Sequence, residues 1–196
     1  MGKAEKTRQF IIEQAATLFN QKGIAGTSID DVLKVTKVAK GCLYGHFENK
    51  EALSFAMVDY LLDKIRNRTN AAINNASSAH DKLIAVLDLY RTPNTPLVNG
   101  GCPILNFGVE SDDTNPIIKQ KVKNVIQESI KTFSLVIKQG IKDKEFSSDF
   151  DADEFALKMF TLIEGGMMIS RVTESNKHMN TMLSMLKTEI ETYRLK

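Results

Sequence analysis

Apolar residues recur at spacings of three and four along almost the whole chain, and this helical period constrains the fold more than any other feature. Only four prolines occur in the 196 residues, so long helices can run without interruption. The alternation of apolar and polar residues that marks a half-buried strand is absent. The sequence therefore predicts an all-α protein.

The composition fits a globular protein that has neither a metal site nor a membrane-spanning segment. Hydrophobic residues make up 42% of the chain and charged residues 26%, which excludes a disordered or fibrous protein. No run approaches the roughly 18 apolar residues that span a bilayer, and the charged N-terminus lacks the apolar core of a signal peptide. Two cysteines, Cys42 and Cys102, form no Cys/His cluster of the kind that binds zinc. We expect a cytoplasmic protein with no cofactor.

The first fifty residues predict a long helix followed by two short helices. The long helix begins near Glu5 and ends at Gly23, and Thr27–Ser28 begins a short helix that ends near Val35. The second short helix is predicted from about residue 38 to residue 44, with Gly45 ending it and Asn49 capping a long fourth helix. Two short helices joined by a tight turn indicate either a helix-turn-helix or an ordinary bundle with short loops.

The rest of the chain is also predicted to be helical, with one extended loop. Prolines and adjacent glycines in residues 92–103 disfavour a helix there. The segment from Asp149 resembles the start of a calcium loop, but Glu154 and Phe160 stand where an EF-hand needs Gly and Glu. Asp151 is therefore interpreted as a helix cap. The predicted helices cover about residues 78–90, 105–109, 116–142, 152–171 and 177–193.

Positive charge is concentrated near the N-terminus. Residues 1–50 contain eight Lys or Arg and five Asp or Glu, a net charge of +3, whereas the whole chain carries +2. A small basic module joined to a larger, nearly neutral one fits binding to a polyanion.

Residues 27–53 contain the motif Lys40-Gly41-x-Leu43-Tyr44-x-His46-Phe47-x-x-Lys50-Glu51-x-Leu53. This segment resembles the DNA-binding module of the TetR family of bacterial transcription regulators. The resemblance covers about the first quarter of the chain, while the remainder is similar only in length and helicity. It implies a helix-turn-helix DNA-binding domain of three helices over residues 1–50 and a larger helical ligand-binding and dimerisation domain over residues 51–196.

The resemblance also implies a homodimer that binds a pseudo-palindromic operator as a repressor and is released by a small molecule. The predicted DNA contacts include hydroxyl and backbone N–H groups at a helix start, two lysines at the start of the recognition helix, and residues that match the family's backbone contacts. Gly45 departs from the larger residue that is common there, and Cys42 replaces a common Thr or Ser. The predicted contacts are Thr27, Ser28, Lys37, Lys40, Gly41, Cys42, Tyr44, His46 and Lys50.

Apolar and aromatic side chains on the central helices are candidates for an effector pocket, although each of them taken singly is better interpreted as a core residue. These are Tyr90, Leu105, Phe107, Phe133 and Phe160. Cys102 lies in a Gly-Cys-x-x-x-Asn run that resembles a segment of family members which sense electrophiles. Its position before a helix could lower the pKa of its thiol and make it reactive. The alternative interpretation is that Cys102 is unreactive and fills a small apolar space in the core.

The last two long helices are implied to pair with their copies in a dimer. The helix over residues 155–171 is apolar on more than one side, as a buried helix is, and Gly165–Gly166 would permit a close approach at the dimer interface. The predicted interface residues are Phe155, Met159, Ile163, Met167, Met182 and Leu186.

Two other functions remain as alternatives. One is a helical protein-interaction module that has lost DNA binding, which Gly45 and the modest charge would allow. The other is a hydrolase that depends on Cys102. An enzyme is not expected, because the sequence has no Gly-x-Ser-x-Gly motif, phosphate-binding loop or metal-ligand spacing.

Overall fold

A computed structural model describes residues 2–91 and 99–195 of the chain. Nine α-helices make up the regular structure of these ranges: α1 (Lys3–Gly26), α2 (Ile29–Thr36), α3 (Lys40–His46), α4 (Lys50–Asn74), α5 (Ala79–Asp88), α6 (Pro103–Ser111), α7 (Pro116–Lys142), α8 (Ala152–Val172) and α9 (Lys177–Tyr193). Strand-type pairing in the same ranges is limited to one antiparallel bridge, between Phe146 and Arg194. The all-α prediction is confirmed.

Within the described ranges, none of the helices has the length and apolarity needed to cross a bilayer.

Side-chain caps begin the helices where the sequence predicted them. The Asn115 carboxamide oxygen accepts from the N–H groups of residues 117 and 118 at the start of α7, at 3.1 and 3.0 Å. The Asn49 oxygen accepts from Ala52 N at 2.8 Å in α4. Asp151 accepts from the N–H groups of residues 153 and 154 in α8, which confirms that it is a helix cap. The sequence alone therefore located these starts, because capping is a local interaction.

Two boundaries in the first part of the chain differ from the prediction. Helix α3 begins at Lys40, two residues later than predicted, and continues through Gly45 to His46. Gly45 therefore does not end the helix, because a single glycine costs a helix only about 1 kcal/mol and Phe47 N still donates to Leu43 O. Gly23 breaks α1 as predicted, with φ 75°, although helical hydrogen bonding resumes as far as Gly26.

The predicted loop at 92–103 lies partly outside the described residues, since 92–98 are not described. Its C-terminal end is described from residue 99 onward. Gly100 and Gly101 both have positive φ, 111° and 96°, a region that favours glycine. Helix α6 follows directly, with Cys102 as its N-cap residue and Pro103 in its first turn.

The chain divides into two compact units that are not continuous in sequence. Unit 1 comprises Met1–Lys64 and Leu97–Lys123, and unit 2 comprises Ile65–Pro96 and Asn124–Lys196. Helix α6 therefore belongs to the same unit as the first three helices. The division of function after residue 50 remains a prediction, and that position lies inside unit 1.

Each unit has its own apolar core. In unit 1, α1 packs against α2, α3 and α6. In unit 2, α8 packs along α9, and buried side chains of α5, α7, α8 and α9 form one cluster. Phe150 anchors this cluster at one end, because its ring stacks on Tyr193 at 4.4 Å and meets the edges of Phe146 and Phe155. These ring contacts stabilise the helical core of unit 2.

Candidate DNA-binding surface

Helix α2 begins with a capping box. The Ser28 hydroxyl accepts from Asp31 N at 3.1 Å, and the Asp31 carboxylate accepts from Ser28 N at 3.1 Å. Lys22 of α1 donates to the same carboxylate at 2.9 Å. The hydrogen bond from Lys22, followed by those from the Ser28 N–H and hydroxyl, holds the pKa of Asp31 well below its usual range. The start of α2 is thus attached to α1 by an ion pair.

A three-residue turn joins α2 to α3. Lys37 adopts a left-handed conformation with φ 58°, and its N–H donates to Leu33 O at 2.9 Å, which closes the end of α2. Helix α3 then begins at Lys40, and the carbonyl of Ala39 accepts from the N–H groups of residues 42 and 43. The two helices and their short turn form a helix-turn-helix, which decides between the two interpretations left open by the periodicity.

The inner side of α3 holds it against the rest of unit 1. Leu43 of α3 and Phe47 directly after it are buried, as is Val32 of α2. The guanidinium of Arg8 lies 5.0 Å from the centroid of the Phe47 ring, so a cation–π contact attaches α1 to the end of α3. Burial of Leu43 within this helix of seven residues, with Phe47 buried directly after it, fixes which side of α3 faces outward.

The outer side of α3 carries most of the predicted DNA contacts. Lys40, Gly41, Cys42 and Tyr44 are exposed, with Tyr44 at 42%. His46 at the end of α3 is partly exposed. The structure therefore brings the Lys40 ammonium group, the Tyr44 ring and the backbone of Gly41 to the exposed side of α3, and their contacts with DNA remain a prediction.

Four further predicted contacts lie around this helix, in different environments. Lys37 and Ser28 are exposed and Lys50 is partly exposed, whereas Thr27 is only 1% exposed. The Thr27 hydroxyl donates to Gly23 O at 2.6 Å. Thr27 is therefore corrected from a phosphate contact to a buried residue that closes the end of α1, because its hydroxyl proton is already committed inside the fold.

Sequence reasoning missed one exposed cation of the helix-turn-helix. Lys34 is exposed in the last turn of α2, six residues before Lys40. It had been counted in the positive charge of the first fifty residues but not assigned a role. The excess of lysine around the turn was the signal that could have found it.

The candidate pocket residues fall into two groups. Cys102, Leu105 and Phe107 belong to unit 1, where Cys102 and Phe107 are buried. Tyr90, Phe133 and Phe160 belong to unit 2, where Phe133 is part of the core cluster and the other two pack against it. The structure thus assigns each group to a core, and an effector-binding role for any of them remains a prediction.

Most of the predicted dimer residues are buried inside the protomer itself. Phe155, Met159, Ile163 and Leu186 are at most 3% exposed and belong to the core cluster of unit 2. These four are therefore corrected to residues of the protomer core. The period of α8 reveals that it is apolar on several sides, but it cannot tell which side faces the protomer's own helices.

Met167 and Met182, the other two predicted interface residues, are partly exposed. Gly166 faces α9, where an added Cβ would lie 3.1 Å from the sulfur of Met179, so this glycine serves a close approach within the chain. A Cβ at Gly165 would meet no atom within 4 Å. Of the two glycines, only Gly165 remains a candidate for the dimer interface.

The structure instead exposes an apolar stripe that sequence reasoning did not single out. Leu157, Met168 and Val172 of α8 are 54%, 48% and 79% exposed, and Met185 of α9 is 55% exposed. Spacings of 11 and 4 residues place the three α8 side chains on one side of that helix. Exposed large apolar side chains mark a surface that interacts with a partner, and their exposure is known only from the structure.

Comparison with known proteins identifies two family models in the chain. The model described as bacterial regulatory proteins of the tetR family matches residues 11–57, and the model described as the tetracyclin repressor-like C-terminal domain matches residues 79–186. The first match contains the helix-turn-helix described above. The second match covers more than half of the chain.

Solved structures and curated relatives agree with these matches. A TetR transcriptional regulator from Chloroflexus aurantiacus is 38% identical with a TM-score of 0.94, and the alignment covers 100% of both chains. A TetR-family regulator from Cytophaga hutchinsonii is 34% identical with a TM-score of 0.90, covering 100% of this chain and 98% of that one. The HTH-type transcriptional repressor DhaR of Mycobacterium sp. is 21% identical over 180 residues, 91% of this chain and 89% of that protein. With its helix-turn-helix and both family domains, the chain belongs to the TetR family of bacterial transcription regulators.

Proposed function

We propose that the protein is a homodimeric repressor that inserts α3 into the major groove of a pseudo-palindromic operator and is released by a small-molecule effector. The observation that carries this proposal is the exposed side of α3, with Lys40, Gly41, Cys42 and Tyr44 held outward by the burial of Leu43. The relative DhaR is named a repressor, which supports repression over activation. The proposed activity is binding to DNA in the cytoplasm and includes no catalytic step.

Cations rather than the start of α2 supply the phosphate contacts in this proposal. Asp30 and Asp31 occupy the first turn of α2 and place two carboxylates beside its free N–H groups. These charges oppose an approaching phosphate, and the Ser28 hydroxyl is already bonded to Asp31 at 2.9 Å. Lys37 and Lys34 are exposed on either side of the end of α2 and are free of this conflict. We assign them to phosphates.

The exposed residues of α3 supply sequence recognition. Lys40 can reach guanine acceptors, and Gly41 lets the backbone approach the bases. Gly45 adds no side chain, and a Cβ there would meet no atom within 4 Å, so the helix can lie close to the groove at this end. Tyr44 and His46 then contact the DNA backbone, together with Lys50.

The dimer forms through the exposed apolar stripe of α8 and α9 in this proposal. The stripe from Leu157 to Val172 covers sixteen residues of α8, which separates its two ends by about 22 Å. Met185 adds a further exposed apolar side chain from α9. A second copy would remove this surface from water, and the twofold symmetry of such a dimer matches that of a pseudo-palindromic operator.

In this proposal the dimer has two states that differ in the spacing of the two DNA-binding heads. An effector binds more tightly to the state whose spacing does not fit the operator. Such a shift requires a difference in affinity between the two states, not merely a tight site. Candidate contacts are Tyr90, Leu105, Phe107, Phe133 and Phe160, with Cys102 as the alternative site for a thiol-reactive effector. Cys102 is buried, so a reagent would reach it only through local opening.

DNA binding is tested by fluorescence anisotropy on duplexes from upstream of the protein's own gene and from a selected random pool. We expect binding that resists excess nonspecific competitor and weakens steeply as salt rises. If Lys40 contacts a base, Lys40→Ala should reduce the free energy of DNA binding by about 1–3 kcal/mol. If Lys40 contacts a phosphate, Lys40→Ala should instead reduce the slope of log affinity against log salt concentration by about one. Lys142→Ala, at the exposed end of α7, removes the same charge from the other unit and should change neither. Failure to select any duplex would favour the protein-interaction alternative.

Dimerisation is tested by sedimentation equilibrium with a matched pair of variants. Leu157 in α8 and Leu135 in α7 are both 54% exposed in the protomer. We expect Leu157→Glu to yield monomers because it places a charge in the apolar stripe, whereas Leu135→Glu should remain dimeric. Equal effects of the two substitutions would contradict the assignment of the stripe.

A further inference from the structure

The turn before α3 and α3 itself lack the side chains that usually accept hydrogen bonds from bases. Residues 37–46, all of which the structure describes, include no Asp, Glu, Asn or Gln. Two such residues follow α3 directly. Glu48 is exposed, and the side-chain oxygen of Asn49 already accepts from Ala52 N at 2.8 Å. The outward groups of α3 are therefore mainly the Lys40 ammonium donor and small apolar side chains.

The four bases differ in what they offer to such a surface in the major groove. Guanine presents two acceptors, N7 and O6, and thymine presents the O4 acceptor and a methyl group. Adenine and cytosine present amino groups, which pair with Asn or Gln and with Glu or Asp respectively. Tyr44 and His46 can also accept hydrogen bonds, but both are proposed to contact the DNA backbone. A surface of donors and apolar groups thus matches guanine and thymine.

Ala39 occupies a position where the fold does not favour alanine. It is the N-cap residue of α3, and its carbonyl accepts from Cys42 N at 2.9 Å and Leu43 N at 3.1 Å. Its side chain cannot cap the helix, whereas Ser28 and Ser78 cap α2 and α5 with their hydroxyls. Ala39 is also exposed, so packing in the core does not require it. Its methyl group is therefore available to a partner.

Cys42 is a second small apolar side chain at the same end of α3. It is a free, exposed cysteine, although free cysteines are among the most buried residues in proteins. Cys42 follows Ala39 by three residues, a spacing that brings two side chains to within about 5–6 Å on one side of a helix. Successive base pairs are about 3.4 Å apart, so these two side chains can meet base pairs one or two steps apart.

We infer that α3 selects two kinds of base, thymine through the side chains of Ala39 and Cys42 and guanine through Lys40. The inference rests on the proposed function and adds the chemistry of the bases that are read. Apolar side chains such as alanine contact the thymine methyl group in the major groove. A recognition helix contacts base edges with its N-terminal residues, and residues 39–42 form that end of α3. Adenine and cytosine are then recognised only through the thymine and guanine that pair with them.

Thymine recognition is tested with an operator duplex selected from a random pool. Thymines are replaced one at a time by deoxyuridine, which removes the methyl group and leaves base pairing intact. We expect one or two thymines in each half-site at which affinity falls about fourfold, the effect of losing the burial of one methyl-sized apolar group. Deoxyuridine outside the half-sites should change nothing. Insensitivity to deoxyuridine at every position would overturn the inference.

Two variants identify the side chains that contact these methyl groups. Ala39→Gly removes one methyl group and should leave α3 intact, because glycine is at least as good an N-cap residue as alanine. Cys42→Ser replaces the apolar sulfur with a hydroxyl of similar size. Each variant should bind about fourfold more weakly per half-site and should lose its sensitivity to deoxyuridine at a different thymine. Full sensitivity to deoxyuridine in both variants would contradict the inference, because the methyl groups would then have other partners.

Ala71→Gly is the matched control for Ala39→Gly. Ala71 is exposed in the part of α4 that belongs to unit 2, so the variant loses the same methyl group away from the helix-turn-helix. It should bind the thymine and deoxyuridine duplexes as the parent does. An equal loss of affinity in Ala71→Gly and Ala39→Gly would refute a contact between Ala39 and thymine.

Guanine recognition is tested on the same duplex with 7-deazaguanine, which lacks the N7 acceptor. Affinity should fall at a guanine within two base pairs of a sensitive thymine, and Lys40→Ala should remove this effect. A Lys40→Ala protein that keeps the effect would refute the guanine contact. Glu48→Ala should leave the selected sequence unchanged, whereas loss of a preference for cytosine would reveal an acceptor contact and overturn the inference.

The outcomes separate this inference from the proposed function. If a duplex is selected and its binding weakens with salt, but deoxyuridine has no effect, DNA binding stands and the reading of thymine is refuted. If no duplex is selected, the proposed function fails and the inference fails with it.

Discussion

Gly140 in α7 offers a sharp test of the packing in unit 2. An added Cβ would lie 2.5 Å from the ring of Phe146 and 2.7 Å from the Cβ of Ala79, both closer than carbon atoms tolerate. Phe146 is 1% exposed and its ring lies nearly perpendicular to that of Phe150, with the two centroids 5.4 Å apart, so it has little room to move. The backbone of residues 145 and 146 is also held, since both N–H groups donate to Gly140 O.

The expected effect of Gly140→Ala is a difference of two opposing contributions. Replacing a mid-helix glycine with alanine stabilises a helix by about 1 kcal/mol. Inserting a methyl group into a packed core costs about 1–3 kcal/mol, and two neighbours below 3.0 Å favour the upper half of that range. We therefore expect a net loss of about 1–2 kcal/mol in the free energy of unfolding, or roughly 2–8 °C in Tm for a chain of this size.

The measurement is urea unfolding followed by circular dichroism, with Gly165→Ala as the control. A methyl group at Gly165 meets no atom within 4 Å in the protomer, so this variant should gain up to about 1 kcal/mol. Two protein concentrations are compared, because an effect at a subunit interface depends on concentration and a clash inside the protomer does not. A Gly140→Ala protein as stable as the parent would refute the reasoning.

Three further predictions follow from burial and charge. Asp31→Asn should destabilise the protein at pH 7, because the hydrogen bond from Lys22 lowers the pKa of Asp31 in the folded state. In thermal melts, the difference in Tm between the parent and the variant should shrink below about pH 4, where the parent loses that stability. A difference in Tm that is independent of pH would contradict this prediction. Met159→Ala should cost about 2–5 kcal/mol in urea unfolding at every protein concentration, since Met159 packs in the protomer core, whereas concentration dependence would return it to the dimer interface. Titration with a thiol reagent should label exposed Cys42 promptly and buried Cys102 slowly, with Cys42→Ala identifying the two phases; a Cys102 that stays unreactive in native protein removes the sensor hypothesis.

Local interactions made much of this protein predictable from its sequence. Asn49, Asn115 and Asp151 cap helices within three residues of themselves, so their roles are visible without a fold. The motif around Lys40 and Tyr44 implied a helix-turn-helix through its resemblance to the TetR DNA-binding module, whereas periodicity alone left an ordinary bundle open. The all-α class and the starts of α4, α7 and α8 were determined by such local interactions.

The tertiary structure decided what depends on partners distant in the chain. Periodicity identifies α8 as apolar all round, but only its packing against α9 buries Met159 and leaves Leu157 exposed. The hydroxyl of Thr27 at a helix start predicted a phosphate contact, but its side chain is buried and closes the end of α1. The attachment of Glu110 to residues 24 and 25 joins segments more than eighty positions apart, because a hydrogen bond requires proximity in space and no local pattern encodes it.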